Sequence, residues 1–150
     1  MNTTFLLALL ALLSGALIPV QAASNAEFSR AVGGNVPFAA MALFLVAMAA
    51  TGLTVLAAGK PLPGLDDLRQ APWWSYSGGL IVAFYVLTIT FLAPRLGVGN
   101  AIALIVTGQV LAAVAIDHFG LLRSLTVPLS PTRLVGAILM VVGVFLALKR

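Results

Sequence analysis

The side chains here that could do chemistry are mostly neutral amides, hydroxyls and aromatic rings, set at helical spacing in apolar surroundings. Gln21 and Asn25 lie four residues apart and Ser14 seven before Gln21, so the three share one stripe of a helix. Trp74, Gly78, Ile81, Tyr85, Thr88, Leu92 and Arg95 follow at three- and four-residue steps, which places a glycine recess between aromatic walls on one face. Gln109 stands beside Gly108 near the centre of another apolar run, with Asn100 and Thr107 on a different face. Groups of this kind can hold an organic or cationic solute by hydrogen bonds and ring faces. They are poorly equipped to break covalent bonds.

The ionisable residues reinforce that exclusion. There is no cysteine, hence no disulfide, thiolate metal site or cysteine nucleophile. The single histidine, His118, cannot build a multi-histidine metal site within one subunit, and neither a phosphate-binding glycine loop nor a serine elbow occurs. No metal, cofactor or enzymatic activity is expected. Glu27, Asp117 and His118 are the ionisable groups nearest the apolar runs and therefore the candidates for ion coupling. The alternative for Asp117 and His118 is a hydrogen-bonded pair at a helix end.

These residues are carried by apolar runs that a soluble protein could not cover. Of 150 residues 61% are hydrophobic and 8% charged, against about a quarter charged in ordinary soluble domains. A single all-α membrane domain follows, with its surface facing the lipid bilayer. The runs predict five transmembrane helices, over approximately 4–23, 36–58, 73–92, 98–116 and 131–148. Ser130 and Pro131 suit the cap and first turn of the last helix. Pro19 frees a backbone carbonyl one turn earlier, which predicts a kinked or broken first helix. The segment "LDDLRQ" could lie along the interface, and Trp73, Trp74 and Tyr76 open the third run where aromatic residues meet headgroups. Gly136 and Gly143, with Met140 between them, suggest a packing or dimerisation seam.

With five spans the termini lie on opposite faces. Lys60, Arg69, Arg123 and Arg133 fall on the amino-terminal side, here side A; Arg30, Arg95, Lys149 and Arg150 fall on side B. Orientation normally follows an excess of Lys and Arg on the cytoplasmic side. A balance of four against four predicts insertion in both directions. Many transporters are built from two inverted repeats with the substrate site between them near the midplane. An odd-span chain that inserts both ways can assemble the same architecture as an antiparallel homodimer, or pair with a homologous, oppositely oriented half-transporter. The net charge of +4 is scattered over loops and the carboxy terminus, so no nucleic-acid partner is expected.

The first run ends in "VQA", a pattern that a signal peptidase could cut. "MNTTF" lacks the basic region with which a signal peptide begins, so retention as the first membrane helix is expected. Its polar residues Gln21 and Asn25 then either line a path or bond across helices.

"GALIPVQAASNAEFSRAVG", "PWWSYSGGLIVAFYV", "APRLGVGNAIALIVTGQVLAAVAIDHFGL" and "PLSPTRLVGAILMVVGV" together resemble the YdcZ-like branch of the drug/metabolite transporter superfamily. The resemblance runs in order along nearly the whole chain, and the second span contributes least. It implies a five-span, half-size unit of an inverted-repeat fold. It implies multi-pass residence in the plasma (inner) membrane and export of a small molecule, with no substrate attached to the name. The positions that match are Gln21, Asn25, Trp74, Gly78, Gly79, Gln109, Asp117, His118 and Gly120. Small multidrug-resistance relatives carry a glutamate in the first span where this chain has Gln21, so their proton-exchange mechanism does not transfer.

The expectation is therefore an inner-membrane secondary transporter that exports a small organic metabolite or drug-like compound as an antiparallel dimer. Gln21, Asn25, Trp74, Gly78, Tyr85 and Gln109 are the candidate substrate contacts. The competing expectation is a non-transporting structural or accessory protein, packed against a partner membrane protein.

Overall fold

The computed structural model describes residues 2–149. Among them five helices are long and apolar enough to cross a membrane, and no strand occurs. The first, α1 (Thr3–Ala31), starts where the Asn2 side chain accepts the Thr4 N–H at 3.2 Å, and it carries Arg30 in its last turn. It runs eight residues past the apolar stretch that ends at Ala23. The polar "SNAEFSR" contains no helix breaker, and an Arg30–Glu27 pair at 3.0 Å spans one turn of it. It is also continuous through Pro19, not broken there. Proline supplies no N–H toward the Gly15 carbonyl, so one bond of the ladder is missing.

Gly33 and Gly34, with φ of 75° and 80°, reverse the chain in a conformation open mainly to glycine. Asn35 then caps α2 (Val36–Ala58), accepting from the Phe38 N–H at 3.1 Å. Gly59 ends that helix in the left-handed region. The "LDDLRQ" segment is helical as α3 (Leu65–Gln70), with Asp67 Oδ2 accepting the Gly64 N–H at 2.9 Å. A 3-10 turn over Trp73–Tyr76 leads into α4 (Ser77–Leu96), and Tyr76 ties it back by donating to the Leu68 carbonyl at 2.6 Å.

After Gly97, α5 (Val98–Phe119) and α6 (Pro131–Leu148) form a hairpin. Ser130 caps α6 as expected, accepting the Arg133 N–H at 3.2 Å, with proline in the first turn.

The chain divides into two compact units, Met1–Arg95 and Leu96–Arg150. In the first, burial is concentrated at the side-B ends of three helices and rests on small residues. Ala22, Ala26 and Ser29 of α1, Ala39 and Ala40 of α2, and Ile89, Thr90 and Ala93 of α4 are buried. Small side chains let helix backbones approach closely, which matters where lipid removes the hydrophobic drive to associate. The Phe28 and Phe38 rings stack across the α1–α2 turn, 6.4 Å apart. Every described residue of α1 up to Ile18, and of α2 from Val46 on, is exposed. In the second unit Ala101 and Ala137 are the buried core residues of α5 and α6.

Candidate functional site

Within the first unit, α1, α2 and α4 line an open apolar groove of about 730 Å³. Three of the sequence-selected residues meet on its wall: Gln21 and Asn25 from α1 and Tyr85 from α4. Ser24 and Phe28 of α1 join them, and the α2 wall runs from Ala39 to Ala50. The geometry follows from spacing: Ile18, Gln21, Asn25 and Phe28 recur every three or four residues, so one stripe of α1 faces the groove. Gln21 lies six residues before Glu27, so it sits ~9 Å inside that charged turn at 1.5 Å per residue. The groove is thus at membrane depth.

Two amides on the same stripe have different fates. Asn25 is 5% exposed, and its Nδ2 donates to Thr90 Oγ1, itself 1% exposed. Gln21 Oε1 is buried without any hydrogen-bond partner, and it is the one such side-chain atom among the described residues. No lining residue is a carboxylate, ammonium or guanidinium.

Two charged groups of this unit, Arg30 and Arg95, line a neighbouring cavity of about 390 Å³ at the side-B end, with Ser29 and Thr90 among others. Arg95 is held there by donating to the Phe91 carbonyl, with its guanidinium 3.5 Å above the Phe91 ring centre. Asn25 belongs to the groove and Thr90 to this second cavity, so their hydrogen bond lies in the wall between the two.

The rest of the aromatic stripe on α4 disperses. Thr88 and Leu92 line a different apolar cavity, Ile81 is exposed, and Arg95 belongs to the side-B cavity. Trp74 and Gly78 lie outside the groove: Trp74 is half-buried with its carbonyl accepting the Ser77 hydroxyl at 2.6 Å, and Gly78 is exposed with open space beside it. Ser14 is exposed and donates to the Leu10 carbonyl. Thr90 and Ser29 were not selected from sequence. The signal for Thr90 was that a buried asparagine needs a partner, but nothing local names which one.

In the second unit Gln109 is exposed on α5. Asn100 and Thr107 satisfy themselves on their own helix, at the Leu96 and Ala103 carbonyls. Asp117 and His118 do not pair with each other; both fasten the loop that joins α5 to α6. Asp117 bonds Arg133 at 2.9 Å, and its backbone carbonyl accepts the Val127 N–H. His118 Nδ1 accepts the Leu129 N–H at 3.1 Å. Gly120 turns the chain at φ 60°, and a Cβ there would lie 2.6 Å from Thr126 Oγ1. Glu27 is exposed and paired with Arg30. Among the described residues no group of His, Cys, Asp or Glu could hold a metal ion.

No curated protein and no solved structure is significantly similar to this chain. A family model described as "Putative inner membrane exporter, YdcZ" matches residues 6–146. With five membrane-spanning helices and a solute-sized groove at membrane depth, the chain belongs to this YdcZ family of the inner membrane.

Proposed function

We propose that the protein is a secondary exporter of a small organic compound, working as an antiparallel homodimer in which each chain is one membrane domain. The observation that carries this reading is the groove: about 730 Å³ between three helices, with an apolar lining and no charged side chain on it. Gln21, Asn25 and Tyr85 are the solute contacts within one chain. Trp74, in the turn before α4, and Gly78, in its first turn, are assigned to the side-A entrance of the transport path. Gln109, exposed on α5, is assigned to the face that meets the partner protomer, because an amide at the centre of a span needs a polar partner. The even division of Lys and Arg between the two faces supports insertion in both orientations.

Reporter fusions at the carboxy terminus test the topology: activity on both sides of the membrane is expected, and activity on one side alone excludes the antiparallel homodimer. Proteoliposomes loaded with a metabolite panel test transport, with Gln21→Leu and Gln109→Leu as controls. Flux that depends on both amides supports the exporter. Absence of flux for every solute, with both variants behaving as wild type, favours an accessory protein packed against another membrane protein.

A further inference from the structure

Independently of what the groove carries, we infer that the side-B cavity and the seam between α2 and α4 bind one anionic phospholipid. Arg30 and Arg95 hold its phosphate, and an acyl chain lies along the seam. The two arginines come from different helices, near the ends of α1 and α4, and no residue lining their cavity is a carboxylate. A carboxy-terminal turn favours a cation, which accounts for one basic residue on each helix. It does not account for both lining one cavity.

Each guanidinium has donors to spare. Arg95 donates one N–H to the Phe91 carbonyl and lies over the Phe91 ring, which fixes its position. Among the described residues it has no carboxylate partner. A guanidinium carries five N–H groups, so most of this fork stays open. Arg30 pairs with Glu27, but both side chains are largely exposed, and such a pair is weak enough to share its arginine with a second anion. Two forks on a wall without counter-charge suit a phosphate, whose oxygens can take both.

The apolar surface beneath the arginines identifies what carries the phosphate. Val36 and Phe91 line the arginine cavity and also a second, mostly apolar cavity of about 400 Å³. Pro37 and Leu87 line that one and a third, of about 370 Å³, which reaches Met48. Val36 and Met48 are about 18 Å apart along α2 at about 1.5 Å per residue, comparable with the ~15 Å of hydrocarbon in one leaflet. The second and third cavities are lined by α2 and α4 alone and share no residue with the groove. A basic head site continuous with an apolar track of leaflet depth fits a lipid better than a water-soluble phosphate compound. A zwitterionic lipid would bring its ammonium to a wall that already holds two positive charges, so a headgroup of net negative charge is selected.

Native mass spectrometry of the purified full chain in detergent tests this with dioleoyl phosphatidylglycerol, dioleoyl phosphatidylcholine and glycerol 3-phosphate. One phosphatidylglycerol per chain is expected to bind about tenfold tighter than phosphatidylcholine, and glycerol 3-phosphate, without acyl chains, more weakly than either. Arg30→Gln with Arg95→Gln should remove that preference and keep phosphatidylcholine binding, which also reports a folded variant. Lys60→Gln with Arg123→Gln, an equal loss of charge on side A, should leave the preference intact. In the wild type, phosphatidylglycerol with a photoreactive group in one acyl chain should label residues 37–48 of α2 or 84–92 of α4, and unlabelled phosphatidylglycerol should displace it. That labelling decides alone should the arginine variant not fold. No binding of phosphatidylglycerol, equal binding of the two lipids, or a preference that survives loss of both arginines overturns the inference. So does a preference that falls equally with the side-A pair, or displaceable labelling confined to other helices. Glycerol 3-phosphate binding as tightly as phosphatidylglycerol would show a site for soluble phosphates and overturn the lipid.

Discussion

Asn25 and Thr90, 65 residues apart in sequence, are joined by a buried hydrogen bond that ties α1 to α4 in the wall between an apolar groove and an arginine-lined cavity. The bond does two jobs at once. It gives a partner to two buried polar groups, and it joins α1 to α4 one turn after Gln21.

Thr90→Val is expected to destabilise the first unit by about 1–2 kcal/mol, because it leaves the Asn25 amide buried and unpaired. Asn25→Leu should cost a similar amount. The double variant should cost less than the sum, and a double-mutant cycle of unfolding in mild detergent reads the difference. Strict additivity would mean that the bond contributes nothing.

Gly120→Ala is expected to weaken the α5–α6 hairpin by about 1–2 kcal/mol from the left-handed backbone alone. The contact of its Cβ with Thr126 Oγ1 adds to this. Gly120→Ala combined with Thr126→Ala should recover the steric part and keep the backbone part. Thermal unfolding should therefore rank wild type above the double variant, and the double variant above Gly120→Ala.

Asp117 and Arg133 retain 31% and 36% side-chain exposure, so their ion pair is partly screened and is expected to contribute about 1 kcal/mol at most. Arg133→Gln and Asp117→Asn should each lower hairpin stability modestly, and the exchange Asp117→Arg with Arg133→Asp should restore part of it. A flux that loses its pH dependence in Asp117→Asn while the fold is unchanged would instead place Asp117 in ion coupling.

The chain has no cysteine, so a single introduced one reports its own surroundings. Cysteine at Tyr85 is expected to react with a small aqueous thiol reagent and to be protected by a bound solute, since Tyr85 lines the groove. Gln109→Cys should resist in the monomer, where lipid covers that face of the span, and react in the dimer, where the face lines a wetted seam. Resistance at both positions under all conditions would show a dry, packed protein and remove the transport path.

Much of the fold was legible along the chain because its signals are local. Apolar runs, the Ser130–Pro131 start and the glycines at 34, 59, 97 and 120 delimit the membrane helices without reference to any other element. The helix α1 continues to Ala31 because "SNAEFSR" ends the apolar stretch without breaking the helix. At Pro19, where a kinked or broken helix is expected, the helix is unbroken.

The candidate site was legible only in part. Helical spacing put Gln21 and Asn25 on one stripe, and they do share the groove with Tyr85. The same logic grouped Trp74, Gly78 and Tyr85, which the structure does not bring together. In a soluble helix the apolar face reveals which side is buried. Here both sides are apolar, because lipid rewards the outer face as the core rewards the inner one.

Membrane residence, the five helices, the balance of charge and the family were determined by the sequence itself, since each depends on composition or on neighbours within a few turns. Tertiary structure alone decided that Asn25 is paired with Thr90 and that Gln21 Oε1 has no partner among the described residues. The reason is physical: partners at membrane depth depend on how helices cross and rotate against one another, and small residues such as Ala22, Ala26 and Ala93 permit that close approach without specifying it.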